Sequence, residues 1–206
     1  MPETVDFSLY LITDRHQLAQ GQTLVSAVAA ALEGGVQAVQ LREKDLTAAE
    51  LLPLARELRT LCRQHNARLL INDRIDLARA VAADGVHLGG HSLPPAVVRE
   101  LVGPEMLIGV STHSLEEVAE ATRQGADFLT FGPVYATPSK AAYGPPLGVT
   151  ALATACRQTA LPVFALGGID AGNAAQAIAA GAHGVALISA IFAAASPAEA
   201  ARAFTA

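Results

Sequence analysis

The chain is predicted to be an α/β protein, a (β/α)8 TIM barrel, and three observations predict it. Short apolar runs alternate with helix-forming segments about eight times over 206 residues. The runs are near-continuously apolar, as in parallel strands covered on both faces. A weak echo of small residues marks several strand starts: Gly34-Gly35-Val36, Asp84-Gly85-Val86, Gly125-Ala126-Asp127 and Gly181-Ala182-His183-Gly184. Eight units favour a closed barrel over an open doubly wound sheet. No linker interrupts the pattern, so residues 1–206 read as a single domain whose phosphate-binding face is the C-terminal end of the strands.

The elements follow in order. Phe7–Thr13 is rich in strand formers, and Thr23–Leu32 predicts a helix stopped by Gly34-Gly35. Val36–Leu41 is the second strand. Thr47 with Glu50 reads as a capping box that opens a helix to about His65, with Pro53 close enough to its start to be tolerated. Arg68–Ile71 is the third strand, Ile75–Val81 a helix, and Val86–Leu88 the fourth strand. Pro94 and Pro95 start the next helix. Met106–Val110 is the fifth strand, and Ser114 with Glu117 reads as a second capping box. Asp127–Phe131 is the sixth strand. The loop Gly132–Gly148 is the longest, and residues 136–146 within it have the Gly and Pro content of a lid. A helix over Val149–Thr159 leads to the seventh strand, Pro162–Leu166, which ends in Gly167-Gly168. Asp170 and Asn173 offer caps for a helix over Ala174–Ala180. Gly184–Ile188 is the eighth strand, and one helix is expected to fill the remainder to Phe204.

Composition narrows the function. Net charge is −5 and no basic run occurs, so nucleic acid is not an expected partner. No stretch is long enough to span a membrane, and Met1–Ser8 lacks a signal-peptide pattern. Cys62 and Cys156 are the only cysteines and suggest a reducing compartment. A cytoplasmic location is expected, and a homo-oligomer is left open.

The polar residues gather at the predicted strand ends. Arg42 and Lys44 follow strand two, Asn72 and Asp73 strand three, Ser92 strand four, and Ser111 and His113 strand five. Thr137, Ser139 and Lys140 follow strand six, Gly168 strand seven and Ser189 strand eight. Cations, hydroxyls and glycine N–H groups bind phosphate oxygens, and Asp73 can hold a hard cation that bridges them. Three cations and a metal exceed what one monophosphate needs, which points to a diphosphate. Structural readings stand beside these. Asn72-Asp73 reads also as a helix cap, Asp14-Arg15 as a surface ion pair, His87 as a packed strand residue, and His65 and His183 as surface residues.

With those residues in place, the chain resembles the thiamine phosphate synthase family, including its thiazole tautomerase (TenI-like) branch. The matching stretches are Val39–Lys44, Ile71–Arg74, Gly109–Ser114, Gly132–Tyr135 with Thr137–Lys140, Gly167–Ile169 and Ile188-Ser189. The resemblance implies a transferase of thiamine biosynthesis that joins hydroxymethylpyrimidine diphosphate to thiazole phosphate and releases pyrophosphate. Gln40, Arg42, Lys44, Asn72 and Lys140 would hold the pyrimidine diphosphate, Asp73 would ligate Mg²⁺, and Ser111 would sit near the pyrimidine. Thr137, Pro138, Ser139, Gly168, Ile188 and Ser189 would bind the thiazole phosphate. Arg42, Lys44, Ser111, His113 and Lys140 are the catalytic candidates.

One departure bears on the branch. Synthases carry a second metal-binding carboxylate in the loop after strand four, where this chain has Ser92. The tautomerase branch also lacks it, needs no metal, and moves a proton on a thiazole carboxylate phosphate with a histidine that matches His113. Synthase chemistry is the first expectation, since Asn72-Asp73 and Lys140 suit a diphosphate. The tautomerase is the alternative, and a non-catalytic regulator that binds thiazole phosphate or thiamin phosphate is the third.

Overall fold

The computed structural model describes residues 5–137 and 144–205. Eight parallel strands close into a barrel in sequence order. They are β1 (Leu9–Ile12), β2 (Ala38–Leu41), β3 (Arg68–Asn72), β4 (Gly85–Leu88), β5 (Leu107–Thr112), β6 (Phe128–Phe131), β7 (Val163–Leu166) and β8 (Gly184–Leu187). Between them run α1 (Leu24–Glu33), α2 (Ala48–Gln64), α3 (Ile75–Ala80), α4 (Pro95–Val102), α5 (Leu115–Arg123), α6 (Gly148–Gln158) and α7 (Ala174–Ala179), with α8 (Ser189–Phe192) and α9 (Pro197–Arg202) after β8. The predicted fold class is the observed one. Contacts divide the chain into two compact units: Leu9–Val86 with the chain from Leu187 on, and His87–Ala186 with the segment that ends at Ser8.

In the first unit β1 and β2 are buried at every position, as strands covered on both faces must be. Leu41 pairs with Ile71, so Arg42 and Asn72 leave neighbouring strands at the same level. Thr47 and Glu50 form the expected capping box, and α2 runs unbroken through Pro53. The single helix expected to reach Phe204 is instead two. Ser196 accepts the Glu199 N–H and Pro197 follows it, a cap and first-turn pair that starts α9 afresh. A Cβ on Gly34 would lie 2.4 Å from the Ala198 oxygen and 2.7 Å from Ala201 Cβ, so α9 rests on the bare end of α1.

The second unit is organised around three rings. Phe7 stacks on Phe164 with centroids 5.1 Å apart, and Phe128 meets both edge-on at 5.5 Å. Phe7 was expected in the first strand, but the strand begins at Leu9. Full burial of a phenylalanine stabilises by roughly 1.5–3 kcal/mol, and here the ring is used as a plug. Ser8 carries the backbone past β8, where Val185 N–H donates to its carbonyl at 2.9 Å.

The echo seen in the sequence has two physical sources. The first lies at helix ends. Among the described residues, α1, α2, α3, α5 and α7 are each followed by a positive-φ residue, Gly35, Asn66, Ala82, Gly125 or Gly181. The following N–H returns to a carbonyl of the last turn: Val36 to Ala31, Ala67 to Cys62, Ala83 to Ala78, Ala126 to Ala121 and Ala182 to Ala177, at 2.8–3.2 Å. The second lies at strand starts. Asp84 Oδ2 accepts the Leu69 N–H at 2.7 Å and the Arg59 guanidinium at 2.5 Å. Asp127 Oδ2 accepts the Ile108 N–H at 2.6 Å and the Arg99 guanidinium at 2.5 Å. Gln37 repeats the arrangement in neutral form, accepting the Leu9 N–H at 3.2 Å. Among the described residues no helix is long and apolar enough to cross a membrane.

Two outcomes follow for stability. Asp127→Ala removes the acceptor of Arg99 Nη2 and of the Ile108 N–H together, while Arg99 Nη1 keeps the Gly103 and Met106 carbonyls, and should cost about 2 kcal/mol, read as a lower urea midpoint. Asp127→Asn, which keeps an acceptor, should cost less. Ala82→Gly relieves a Cβ held at φ 48° and should raise the midpoint by up to about 1 kcal/mol. A fall would show that helix-end geometry does not limit stability there.

Candidate active site

On the first unit, the ends of β2 and β3 carry the polar residues. Arg42 is half-exposed, and its N–H donates to Thr13 Oγ1 at 2.8 Å. Thr13 is fully buried, and its own N–H donates to the Gln40 carbonyl at 2.9 Å, so the first two loops are tied together. Gln40 is buried, and its Nε2 donates to the Tyr10 hydroxyl at 2.8 Å. Burial drives the Tyr10 phenol far above its usual pKa, outweighing the opposing hydrogen bond from Gln40, and keeps it a neutral partner. With its Nε2 engaged there, Gln40 keeps Oε1 as an acceptor.

Asn72 closes β3, and its Nδ2 donates to Asp73 Oδ2 at 2.9 Å. Asp73 is exposed and sits at φ 59°, a left-handed conformation of the kind that clusters at functional sites. The cap reading of this pair does not hold. Arg74 occupies the N-cap of α3, which has no side-chain cap bond, and Arg74 pairs instead with Asp76 at 2.5 Å. A cavity of about 290 Å³ opens among Glu43, Lys44, Asn72 and Asp73, with Leu41 and Ile71 at its base. Ser189 is the exposed first residue of α8, and Ile188 before it is half-exposed.

The Asp14-Arg15 surface pair is also corrected. Asp14 caps a short 3-10 turn by accepting the His16 N–H and binds Gln17 Nε2 at 2.5 Å. Arg15 turns to Glu43 and Asp45.

On the second unit, Ser111 is the next-to-last residue of β5 and is half-exposed. Its Oγ lies 2.9 Å from His87 Nε2 and accepts the Thr130 hydroxyl at 3.4 Å. His87 packs, as expected, at 1% exposure, but it also reaches Ser111. Gly109 makes room for it, since a Cβ there would lie 2.6 Å from His87 Nδ1 and 2.3 Å from the Phe128 ring. The His113 ring is exposed, with Nδ1 2.5 Å from the Gly132 carbonyl oxygen. Ser114 caps α5, but the expected box is incomplete: Glu117 accepts the His113 N–H at 2.6 Å instead of the Ser114 N–H. Ser92 Oγ accepts the Gly89 N–H at 2.6 Å and closes a turn after β4.

Gly167 and Gly168 lie at φ 92° and 66°. Side chains there would strike Pro133 at 2.6 Å and the Ala136 oxygen at 2.6 Å. Tyr135 N–H donates to the Gly167 carbonyl at 3.0 Å, and Asn173 Nδ2 to that of Gly168 at 2.8 Å. The glycine pair is thus a seat for the 133–136 segment as well as a turn. Asn173 is the N-cap residue of α7 but spends its side chain on Gly168. Thr137 is half-exposed. Pro138, Ser139 and Lys140, and with them most of the expected lid, lie outside the described residues.

The structure therefore brings Gln40, Arg42, Lys44, Asn72 and Asp73 to neighbouring strand ends of one unit, and Ser111, His113, Thr137 and Gly168 to loops of the other. Sequence reasoning missed Tyr10 behind Gln40, Thr13 under Arg42, and His87 and Thr130 behind Ser111. Their only signal was a polar residue inside an apolar strand. Among the described residues no group of three or more His, Cys, Asp or Glu forms a metal cage. Asp73 with exposed oxygens fits a cation such as Mg²⁺, which takes one or two carboxylates and completes its shell with water and phosphate oxygens.

Comparison with known proteins adds identity to this geometry. A family profile described as thiamine monophosphate synthase matches residues 9–191. A chain from Geobacter sulfurreducens is 61% identical over 202 residues, 98% of this chain and 94% of that one. The thiamine-phosphate synthase of Methanospirillum hungatei is 46% identical over 187 residues, 91% of this chain and 90% of that one. The solved thiamine phosphate pyrophosphorylase of Pyrococcus furiosus superposes with a TM-score of 0.88 at 37% identity, covering 97% of this chain and 94% of that one.

Gly168→Ala adds a Cβ in a left-handed conformation against the backbone of residues 135 and 136. A loss of about 2 kcal/mol in urea denaturation is expected. An unchanged midpoint would mean that the segment yields.

Proposed function

The chain belongs to the thiamine monophosphate synthase family, and from that membership we propose how its residues carry the reaction. It is an enzyme of thiamine biosynthesis, a thiamine-phosphate synthase. The substrates would be hydroxymethylpyrimidine diphosphate and thiazole phosphate. Gln40, Arg42, Lys44 and Asn72, with Lys140, would hold the pyrimidine diphosphate. Ser111 would sit near the pyrimidine, and Thr137, Pro138, Ser139, Gly168, Ile188 and Ser189 would take the thiazole phosphate.

The observation that carries this assignment is Asp73, held left-handed and braced by Asn72, in one cavity with Lys44. In the reaction the bond from the pyrimidine methylene carbon to the diphosphate oxygen breaks. The electron pair leaves with pyrophosphate, and the thiazole nitrogen forms the new C–N bond. Positive charge grows on the carbon and negative charge on the leaving group, so fixed cations stabilise the transition state more than the ground state. Mg²⁺, bound through Asp73, would add Lewis-acid stabilisation of the diphosphate oxygens. Ser92 ties its loop without contributing charge, which leaves Asp73 as the protein carboxylate for that ion.

The tautomerase reading would place a proton on or off substrate through His113. That ring is exposed, but its Nδ1 is engaged with Gly132, and no further observation favours the role. A cytoplasmic location goes with the synthase reading and with two free cysteines.

With both substrates and Mg²⁺ the purified protein should release one pyrophosphate per thiamin phosphate formed. Arg42→Ala and Asp73→Asn should each lower kcat/KM by about 10²–10³-fold with little change in thermal midpoint. No release at high enzyme, together with aromatisation of a thiazole carboxylate phosphate that His113→Ala abolishes, would select the tautomerase instead.

A further inference from the structure

The loop after β2 alternates in charge over four residues, Arg42, Glu43, Lys44 and Asp45. Such a run tends to neutralise itself, because opposite charges on neighbouring side chains attract, more strongly near a protein surface than in bulk water. Here it does not. Arg15, just past the end of β1, takes both carboxylates. Its Nη1 and Nη2 fork onto Asp45 Oδ1 and Oδ2 at 2.6 and 2.5 Å. Nη1 also donates to Glu43 Oε2 at 3.2 Å, and the Arg15 N–H is shared between both Glu43 oxygens at 3.2 Å each. The Glu43 side chain is 1% exposed, so its charge is drawn beneath the loop. His16 Nε2 adds a contact to Asp45 at 3.2 Å. The Arg15 guanidinium holds the Asp45 carboxyl well below the usual carboxylate range. Among the described residues, neither Arg42 nor Lys44 forms an ion pair.

We infer that Arg15 is a positioning residue that sequesters the loop's own carboxylates, so that Arg42 and Lys44 present unneutralised charge to a polyanionic ligand. The inference rests on the reading of this loop as a diphosphate site and requires no contact between Arg15 and substrate. It also explains why the residue is arginine. Two carboxylates two residues apart in one loop need a planar fork with several fixed donors, which a lysine ammonium does not supply.

The test is calorimetric titration of inorganic pyrophosphate with Mg²⁺ into the full chain. Arg15→Met should weaken binding about tenfold or more, because the released carboxylates compete for Arg42 and Lys44. Arg15→Met combined with Asp45→Asn should recover most of the loss. Asp45 is half-exposed, so a purely structural role for Arg15 would not be rescued by removing its charge. Arg42→Ala is the control for the underlying reading. If it leaves pyrophosphate affinity unchanged, the loop is no diphosphate site and the inference falls with that assignment. If Arg42→Ala weakens binding while Arg15→Met does not, or the double variant shows no recovery, the role of Arg15 alone is overturned. Should Arg15→Met fail to fold, Arg15→Lys, which keeps the charge and loses the fork, is judged by the same criteria.

Discussion

Every strand of a parallel sheet must begin somewhere, and the N–H groups near that start need acceptors from outside the strand. Left buried and unpaired, such a group costs roughly as much as a lost hydrogen bond plus its desolvation. At β1, β3 and β5 this protein meets the constraint with a side chain placed just before the next strand. Asp84 serves Leu69, Asp127 serves Ile108 and Gln37 serves Leu9. The two aspartates are in turn neutralised by Arg59 and Arg99 on the preceding helices. One carboxylate thus sets strand start, neighbouring strand and helix in a single bond set. The device occurs in both compact units, which is why the sequence echo is audible along the whole chain.

At the opposite ends of the strands the side chains do different work. There the side chains are spent on loops. Thr13 fixes the backbone of Arg42, Tyr10 orients Gln40, Asn72 braces Asp73, and His87 with Thr130 orients Ser111. Behind Arg42 and Ser111 the supporting group is buried, Gln40 and Tyr10 are buried together, and Asn72 is half-exposed beside the exposed Asp73. A polar pair in a low-dielectric interior is strong when complete and costly when broken, so these supports hold the outer residues at defined angles. That pre-organisation is what a reaction with developing charge on both partners requires.

The strands were legible because apolar runs bounded by turn residues admit few alternatives, and the Thr47–Glu50 box was legible because its spacing fixes two bonds at once. The exposed site residues were legible through their order at strand ends. What escaped were contacts between residues distant in sequence. Nothing local distinguishes a strand tyrosine that packs from one that also carries Gln40, and nothing local tells His87 from any buried imidazole. The misplaced details share that cause. Phe7 left its strand because a pocket between Phe128 and Phe164 was available, and Glu117 moved its bond to His113 because the chain before α5 approaches from that side. The break in the helix expected to run to Phe204 has a different cause: Ser196-Pro197 offers a local cap and first turn.

The fit between His87 and Gly109 has a bearing on how this sequence can diverge. The imidazole and the Phe128 ring together occupy the volume that any side chain at position 109 would claim. Position 109 can therefore not drift alone. A larger residue on β5 would need smaller ones on both β4 and β6, and an intermediate with one change made is overfilled or hollow. Descendants of this chain should exchange the three as a set, and the hydroxyl of Ser111 would lose its histidine neighbour in the same event.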